Sequence, residues 1–351
     1  MSPSRVKTLL HRGSVKDIYT LVPAPNAQAG SDDKQLLFKF SNRYSIFDWG
    51  EMPDEIPGKG AALALMGRKL LAHLNERGFP THYIGEGSMP EDMIVKSVEV
   101  PRGNPEAYHE KLVNTLVPLE VIYRFGAPKG SSLFRRFKNE AGWKAAGYDR
   151  AYYEGEDFSH VKLDFTTKLE RMDRELSITE AQKIAGITDI EWDSLTRLTQ
   201  SIANEVKKVF AEVGLKLWDG KFEFAFIPGH GDHAQTGSRD FMLVDTIGLD
   251  EIRLTFDGFP LSKELLRQFY LNTKWYDSLV IAKKEVPDRF REYCEKDLGQ
   301  SPESLPPAIV NSIGRIYTLA AEMILNSNAH DIKAFQTELR AKLDSLAGGL
   351  A

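Results

Sequence analysis

At 351 residues, with 42% hydrophobic and 27% charged side chains, the chain has the length of about two or three domains or of one large two-lobed unit with a substantial core. A net charge of −5 gives no reason to expect general affinity for nucleic acid, and leaves phosphate binding to local basic patches. The single cysteine, Cys294, excludes an intrachain disulfide and fits a reducing, cytoplasmic compartment; the N-terminal segment lacks the apolar core of a signal peptide, and no apolar run approaches the roughly 20 residues of a bilayer span.

Residues 8–22 read as a strand pair around Arg12-Gly13-Ser14-Val15-Lys16-Asp17-Ile18-Tyr19. A glycine and a lysine in a tight turn let backbone amides and an ammonium approach a phosphate, although an ordinary glycine hairpin has the same pattern. Pro23 to Lys34 reads as an exposed linker, and Leu36 to Phe40 as a strand. The next stretch offers Arg43 and Lys59 to an anion and Asp48 to an amine; a charged loop capping a helix accounts for it equally well. Ala61 to Arg77 has helical periodicity through Leu63, Met66, Leu70 and Leu74, and Gly78 ends it. Strands follow over Thr81–Ile84 and Met93–Val98, and the loop from Pro101 to Glu110 divides the chain into lobes.

Val117 to Arg124 is a buried-strand pattern ending in a cation. Beside it, a Gly130-Ser131 turn presents amides and hydroxyls suited to a sugar phosphate. Phe134 to Tyr148 is basic, helical or irregular. Thr179 to Gly214 holds two helical stretches whose stripe of Leu195, Leu198, Ile202, Val206 and Val209 reads as core. Lys216 to Phe226 is a strand with Asp219, Lys221 and Glu223 on one face and Phe222, Phe224 and Phe226 on the other. After a turn over Pro228–Arg239, the strand Phe241–Asp245 returns. As a hairpin this pair brings Asp245 towards Glu223, and two carboxylates beside a lysine form a seat for a hard divalent ion carrying nucleotide phosphates. Cross-strand ion pairing on an amphipathic hairpin is the plainer alternative. His230 and His233 lack a second ligand pair at metal-site spacing. Helices are expected over Pro260–Leu271, Tyr276–Leu298, from about Leu305 to Ile324, and over Asn328–Leu346.

Taken together, these motifs resemble the SAICAR synthetase (phosphoribosylaminoimidazole-succinocarboxamide synthase) family. The family's D-x-K-x-E-F strand stands here as Asp219-Gly-Lys221-Phe-Glu223-Phe224, and its D-E-x-S-P-D-x-x-R segment as Asp245, Asp250 and Arg253, with Gly248-Leu249 in place of Ser-Pro. The opening G-K-x-K/R-D-I/V-Y matches at Gly13, Lys16, Asp17 and Tyr19, with Ser14 replacing the first lysine. D-R-x-S-A-F-D and I-P-x-K-G are similar to Arg43, Ser45, Phe47, Asp48, Lys59 and Gly60. V-P-x-E-x-V-V-R parallels Val117 to Arg124 with Glu120 in place, and F-T-P-x-T-K-x-E matches near Lys168 and Glu170. Where the family has H-D-E-N-I-S, this chain has Met172-Asp173-Arg174-Glu175-Leu176-Ser177, so that Asp173 and Glu175 are left to keep the acidic role.

The resemblance covers about Arg12 to Ile324. It implies an ATP-dependent ligase that joins carboxyaminoimidazole ribonucleotide (CAIR) to L-aspartate through an acyl phosphate, with ATP and Mg²⁺ as cofactors. It assigns Glu223 and Asp245 to the metal and its nucleotide, and Gly13, Ser14, Lys16 and Lys96 to the nucleotide. Lys221 goes to the reacting carboxylate or γ-phosphate. Arg124, Ser131 and Arg253 hold the ribonucleotide phosphate, with Glu120 and Asp219 at the substrate. Arg43, Ser45, Asp48 and Lys59 go to the aspartate pocket, and Asp250 orients Arg253. The implied fold is α+β: an antiparallel-sheet nucleotide-binding lobe over 1–110, an ATP-grasp-like or kinase-like lobe over 111–260, and C-terminal helices over 261–351. A ligase acting on another acid or amine, a kinase-like phosphotransferase and a non-catalytic nucleotide-binding protein are the rival readings. Expected partners are small molecules rather than nucleic acid or membrane, with homo-oligomer formation left open.

Overall fold

The structure, a computed structural model, describes residues 7–21, 34–102, 108, 112–170, 173–326 and 328–350, the side chains of Lys7 and 348–350 aside. Most of the expected linker after Pro23, most of the loop from Pro101 to Glu110, and Met172 lie outside the described residues.

Two antiparallel sheets carry the molecule. The first is built from β1 (Lys7–Arg12), β2 (Lys16–Leu21), β3 (Gln35–Phe40), β4 (Tyr83–Glu86) and β5 (Asp92–Lys96), in the order β1-β2-β3-β5-β4. Helix α1 (Lys59–Glu76) joins β3 to β4 and buries Leu63, Met66, Leu70 and Leu74, the stripe its periodicity marks out. Gly78, at φ 82°, ends it in the left-handed conformation that only glycine adopts cheaply.

The second sheet is organised on β10 (Lys216–Ile227). One end of β10 pairs with β7 (Leu119–Ala127) and β12 (Ile252–Phe256), the other with β6 (Thr115–Leu116) and β11 (Asp240–Val244). Outside these lie β8 (Glu156–Thr167), β9 (Glu175–Leu176) and β13 (Phe259–Pro260). The alternation of β10 is realised: Phe222, Phe224 and Phe226 enter the core, and Asp219, Lys221 and Glu223 take the other face. Helices α4 (Ile178–Ala185) and α5 (Asp189–Glu212) each open with a capping box, Ser177/Glu180 and Thr188/Glu191. On α5, Leu195, Ile202, Val206 and Phe210 are buried. Between β7 and β8, α2 (Leu133–Arg136) and α3 (Glu140–Ala145) surround a separate aromatic cluster of Trp143, Tyr148, Tyr152 and Phe158.

Three stretches differ from the sequence reading. The turn after β10 contains a short helix, α6 (Asp232–Thr236). The helix expected over 260–271 is only α7 (Lys263–Gln268), because Phe259 and Pro260 are held as β13. The helix expected over 276–298 is two, α8 (Lys274–Glu285) and α9 (Phe290–Lys296), broken at Pro287, whose ring removes a backbone donor and disfavours the helical state of the residue before it. Helix α10 (Pro307–Leu325) is 19 residues long and apolar, but it is a core helix: Ile313, Ile316, Tyr317, Leu319 and Ala320 are fully buried, and it packs between α1 and α11 (Ala329–Leu350). Its charges are paired, Arg315 with Glu322 and with Glu338 of α11. One continuous core runs through both sheets and these helices.

Two predictions test this packing. A Cβ on Gly220 would lie 2.4 Å from the Tyr123 hydroxyl and 2.8 Å from Ile252, so Gly220→Ala should cost about 1–3 kcal/mol in chemical denaturation, whereas Gly85→Ala, with nothing within 4 Å, should be near neutral. Glu191 is fully buried and takes hydrogen bonds from the backbone and side chain of Arg239. Burial pushes its carboxyl up, but Arg239 and the Thr188 amide outweigh burial and bring it to about 2. A depressed folded value means stability present above the unfolded value of about 4.3 and lost as pH falls through the folded one. About 3 kcal/mol should therefore disappear between roughly pH 4.3 and pH 2, and Glu191→Gln should lose this pH dependence along with the ion pair.

Candidate functional site

The polar face of the second sheet is the floor of the site. The register places Asp219 of β10 opposite Arg124 of β7 on one side and opposite Arg253 of β12 on the other. Arg124 donates to Asp219 (3.2 Å) and to Asp164 of β8 (2.6 Å), and Arg253 donates to the other oxygen of Asp219 (3.0 Å). Arg136, from the basic stretch after the Gly-Ser turn, also donates to Asp164 (3.1 Å). The result is a guanidinium cluster whose members are held by carboxylates on neighbouring strands. Asp250 does not orient Arg253; Asp219 does. The hydroxyl that Arg124 reaches is that of Ser132 (3.5 Å), whereas Ser131 is buried and accepts from the Leu133 amide.

Further along the same face, Glu120 of β7 and Glu223 of β10 are buried near each other, an arrangement that repels unless a cation lies between. Lys168, just beyond β8, supplies it, donating to Glu223 (2.6 Å) and Glu120 (3.2 Å), while Lys221 donates to Glu120 (2.6 Å). Burial alone would raise the Glu120 carboxyl, but Lys221 and Lys168 hold it below the usual range. Lys168 has a strong sequence signal, the T-K-x-E match, yet it was not among the expected site residues.

The first sheet contributes from above. The turn between β1 and β2 brings Gly13 so close to the Lys16 carbonyl that a Cβ would meet it at 2.7 Å, and leaves Ser14 exposed at the tip. Lys16 donates to Asp245, just past β11, and burial pulls its ammonium down to about 8 within the field of Glu251, Glu223, Lys168 and Lys221. Glu223 and Asp245 therefore both act on Lys16, the first through its field and the second through a direct ion pair, at the seam between the sheets. Asp245 is in the left-handed region (φ 66°), and its carbonyl accepts from His82 Nε2 (2.7 Å). His82 is buried, and burial brings its imidazole to about 3, so it serves as a neutral donor. Lys96 lies on β5 with its amide on the His82 carbonyl (2.7 Å), which puts it on the same seam.

The residues expected for one substrate pocket do not converge. Lys59 is wholly buried, donating to Asp250 (2.6 Å) and to the Arg43 carbonyl (3.1 Å). Asp250 is equally buried and takes the Tyr317 hydroxyl on its other oxygen (3.1 Å). Arg43 donates to the Gly13 carbonyl (3.0 Å) and to Asp17 (2.5 Å). Asp48 turns outward to Lys283 (2.7 Å), while Ser45 is half-buried in the intervening loop. Lys59 and Asp250 are struts in this structure, since their polar groups are already occupied away from solvent, and Arg43 is a buried tie to the hairpin whose Nε has no hydrogen-bond partner. Glu251, missed by sequence reasoning, has a buried oxygen without a partner and is pushed up by burial and by Asp250. His230 and His233 both turn to Asp240 (3.1 and 2.5 Å). Glu175 pairs with Arg136 (2.8 Å), and Asp173 stands exposed at the mouth, within the field of Glu120.

A sheet face crowded with arginines and lysines, meeting a lysine-bearing hairpin of the other sheet through Asp245, is the arrangement of an enzyme of the class that handles phosphorylated, polyanionic ligands. The family model described as SAICAR synthetase matches residues 9–279. A protein of Archaeoglobus fulgidus provisionally named a phosphoribosylaminoimidazole-succinocarboxamide synthase is 38% identical over 295 residues, 76% of this chain and 81% of its own. The phosphoribosylaminoimidazole-succinocarboxamide synthase of Thermoplasma acidophilum is 30% identical, covering 85% and 92%. Among solved structures, the SAICAR synthase of Saccharomyces cerevisiae complexed with SAICAR superposes with a TM-score of 0.60 at 20% identity, over 92% of this chain and 96% of that one. A SAICAR synthetase in complex with ADP gives 0.54 at 22% identity, over 84% and 99%. The chain belongs to the SAICAR synthetase family.

The two floor arginines should separate on substitution. Arg124→Met leaves Asp219 and Asp164 short of a buried partner and should cost about 3–5 kcal/mol in chemical denaturation. Arg253→Met, which leaves Asp219 still held by Arg124 and removes a more exposed side chain (21% against 4% for Arg124), should cost less than Arg124→Met while still lowering kcat/KM.

Proposed function

We propose that this chain condenses CAIR with L-aspartate at the expense of ATP, giving SAICAR, ADP and phosphate in purine biosynthesis in the cytoplasm. The observation that carries the reading is the cluster in which Lys16 meets Asp245, Lys168 meets Glu223 and Lys221 meets Glu120, with the guanidinium cluster on the same sheet. A carboxylate resists amide formation because its leaving group would be oxide. An oxygen of the CAIR carboxylate attacks the γ-phosphorus of ATP, the bond to the β-γ bridging oxygen breaks, and ADP leaves. The aspartate amine then attacks the acyl carbon, phosphate departs, and the amine gives up its proton.

In this scheme Lys16 and the amides from Gly13 to Lys16 cradle the nucleotide phosphates, with Ser14 at the tip and Lys96 towards the base. Lys221 and Lys168, already fixed in place by Glu120 and Glu223, hold the transferring group in line. Arg124 and Arg253, with Ser132 rather than Ser131, hold the ribonucleotide phosphate; a buried nitrogen of Arg253 has no partner in the protein and is free to donate. Among the described residues no three His, Cys, Asp or Glu side chains converge as a metal group. Glu223 and Asp245 are the two carboxylates that would hold Mg²⁺ in the way it is held with nucleotides, by one or two protein carboxylates with phosphate and water oxygens completing the shell. When bound, the ion would neutralise charge on the phosphates.

A second reading, the same activation applied to a different amine, is favoured by one observation. Gly248 stands where the family has Ser, and a Cβ there would come within 3.2 Å of the buried Glu251 carboxylate and 3.0 Å of Leu63, so this stretch next to Asp250 is built differently.

ADP release measured with ATP, CAIR and L-aspartate, each omitted in turn, separates the readings. Release only with all three present supports the first; release with CAIR and another amine but not aspartate moves the assignment to the second. Glu223→Gln and Asp245→Asn should each lower kcat by at least about a hundred-fold with the thermal midpoint little changed. Full turnover in either variant would remove that residue from the metal site.

A further inference from the structure

The family match ends at residue 279, yet the β1–β2 hairpin is joined by an unbroken chain of hydrogen bonds to α10, beyond that limit. The Tyr317 hydroxyl of α10 donates to one oxygen of Asp250 (3.1 Å), and Lys59 at the start of α1 donates to the other (2.6 Å). The same ammonium donates to the Arg43 carbonyl (3.1 Å), and the Arg43 guanidinium donates to the Gly13 carbonyl and to Asp17 in the β1–β2 hairpin. Lys59 and Asp250 have no solvent exposure, Tyr317 none, and Arg43 almost none. Water cannot replace a lost partner there, so breaking one link leaves a buried polar group unsatisfied instead of a solvated one.

The helix is also pressed against the start of α1. A Cβ on Gly314 would meet the Pro57 carbonyl at 2.3 Å, and Gly58 turns at φ 76° beneath Thr318. Two further ties fix the loop before α1 to the C-terminal region: the Leu305 amide donates to Asp54 (2.7 Å), and Tyr44 shares a hydrogen bond with Tyr270 (2.9 Å). The hairpin is also tied on the β2 side, where the amide and hydroxyl of Ser41 both donate to the Val15 carbonyl (2.9 Å each) and Lys16 reaches Asp245, whereas β1 is an exposed edge strand and Arg43 is the tie at Gly13.

We propose that Tyr317 is a positioning residue for the nucleotide site, acting through Asp250, Lys59 and Arg43 to set the height of the Gly13–Lys16 turn over the cleft. This rests on the hairpin being the nucleotide-phosphate site of the proposed ligase. A packing residue of α10 would lower stability alone; a positioning residue changes nucleotide affinity out of proportion to stability.

The test is ADP binding by calorimetry on the full chain, with the KM for ATP and kcat measured alongside. Tyr317→Phe, which removes only the hydroxyl, should raise the ADP Kd and the ATP KM about five-fold, the effect of one net hydrogen bond, with kcat changed less than about two-fold. Asp250→Asn should act in the same direction, and serves if Tyr317→Phe does not fold. Arg43→Lys should weaken ADP binding, and adding Tyr317→Phe to it should weaken binding no further, because both act through one path. Leu319→Ala, on the same helix and equally buried but outside the chain of bonds, should lower the thermal midpoint and leave ADP affinity intact. An unchanged ADP Kd in Tyr317→Phe, an equal loss in Leu319→Ala, or additive losses in the double variant would overturn the proposal. If the wild-type chain binds ADP but makes nothing from CAIR and aspartate, the ligase reading fails while the positioning role is still tested.

Discussion

Charge on the polar face of a central sheet has to be neutralised before any ligand arrives, and the architecture of the site follows from that constraint. Glu120 and Glu223 are buried on adjacent strands, with Lys168 bridging them and Lys221 on Glu120 to offset their repulsion. Asp219 is likewise tolerable only because Arg124 and Arg253 flank it. Ion pairs of this kind contribute little net stability, because desolvation offsets most of the attraction. They do hold ammonium and guanidinium groups in fixed positions on the sheet. A phosphate that enters can displace a carboxylate from one of these cations without paying again to immobilise it.

The same logic explains how the lobes are joined. The backbone from Pro80 to His82 bonds to Leu243 of β11, and His82 reaches on to the Asp245 carbonyl. That fixes Asp245 in a left-handed conformation, which aspartate tolerates better than most residues. Fixed there, its side chain turns up to Lys16 on the other sheet. A conformation unfavourable for the isolated residue is thus maintained by contacts from both lobes, as strained positions at functional sites commonly are.

What could be read from the sequence was what depends on period and on local chemistry. The alternation of β10 located both its core face and its charged face, and the stripe of α1 located its buried side. Pro287 was passed over, although a proline inside a helical pattern is itself a stop signal. Roles that depend on depth were not legible. Lys59 opens α1 and Asp250 lies in the turn before β12, and nothing local shows that they face each other inside the core, across 191 residues of chain. Asp219 as the partner of Arg253, and Ser132 in place of Ser131, follow from strand register and from a turn at Gly130, neither of which is fixed by spacing alone.

Burial also changes what a matched motif residue means. A lysine at a family position invites assignment to an anionic substrate, but Lys59 has no exposure and its ammonium is already committed to a carboxylate and a carbonyl. Its place in the motif is better explained by the geometry it enforces, tying the first turn of α1 to the loop that holds the hairpin. The helix that closes the far side, α10, belongs by the same reasoning to the working part of the molecule: its tyrosine completes the coordination of Asp250, and its glycine permits the approach of Pro57. A cleft set by two sheets would drift on soft loops; a third element in the core, remote in sequence, gives those loops a fixed reference.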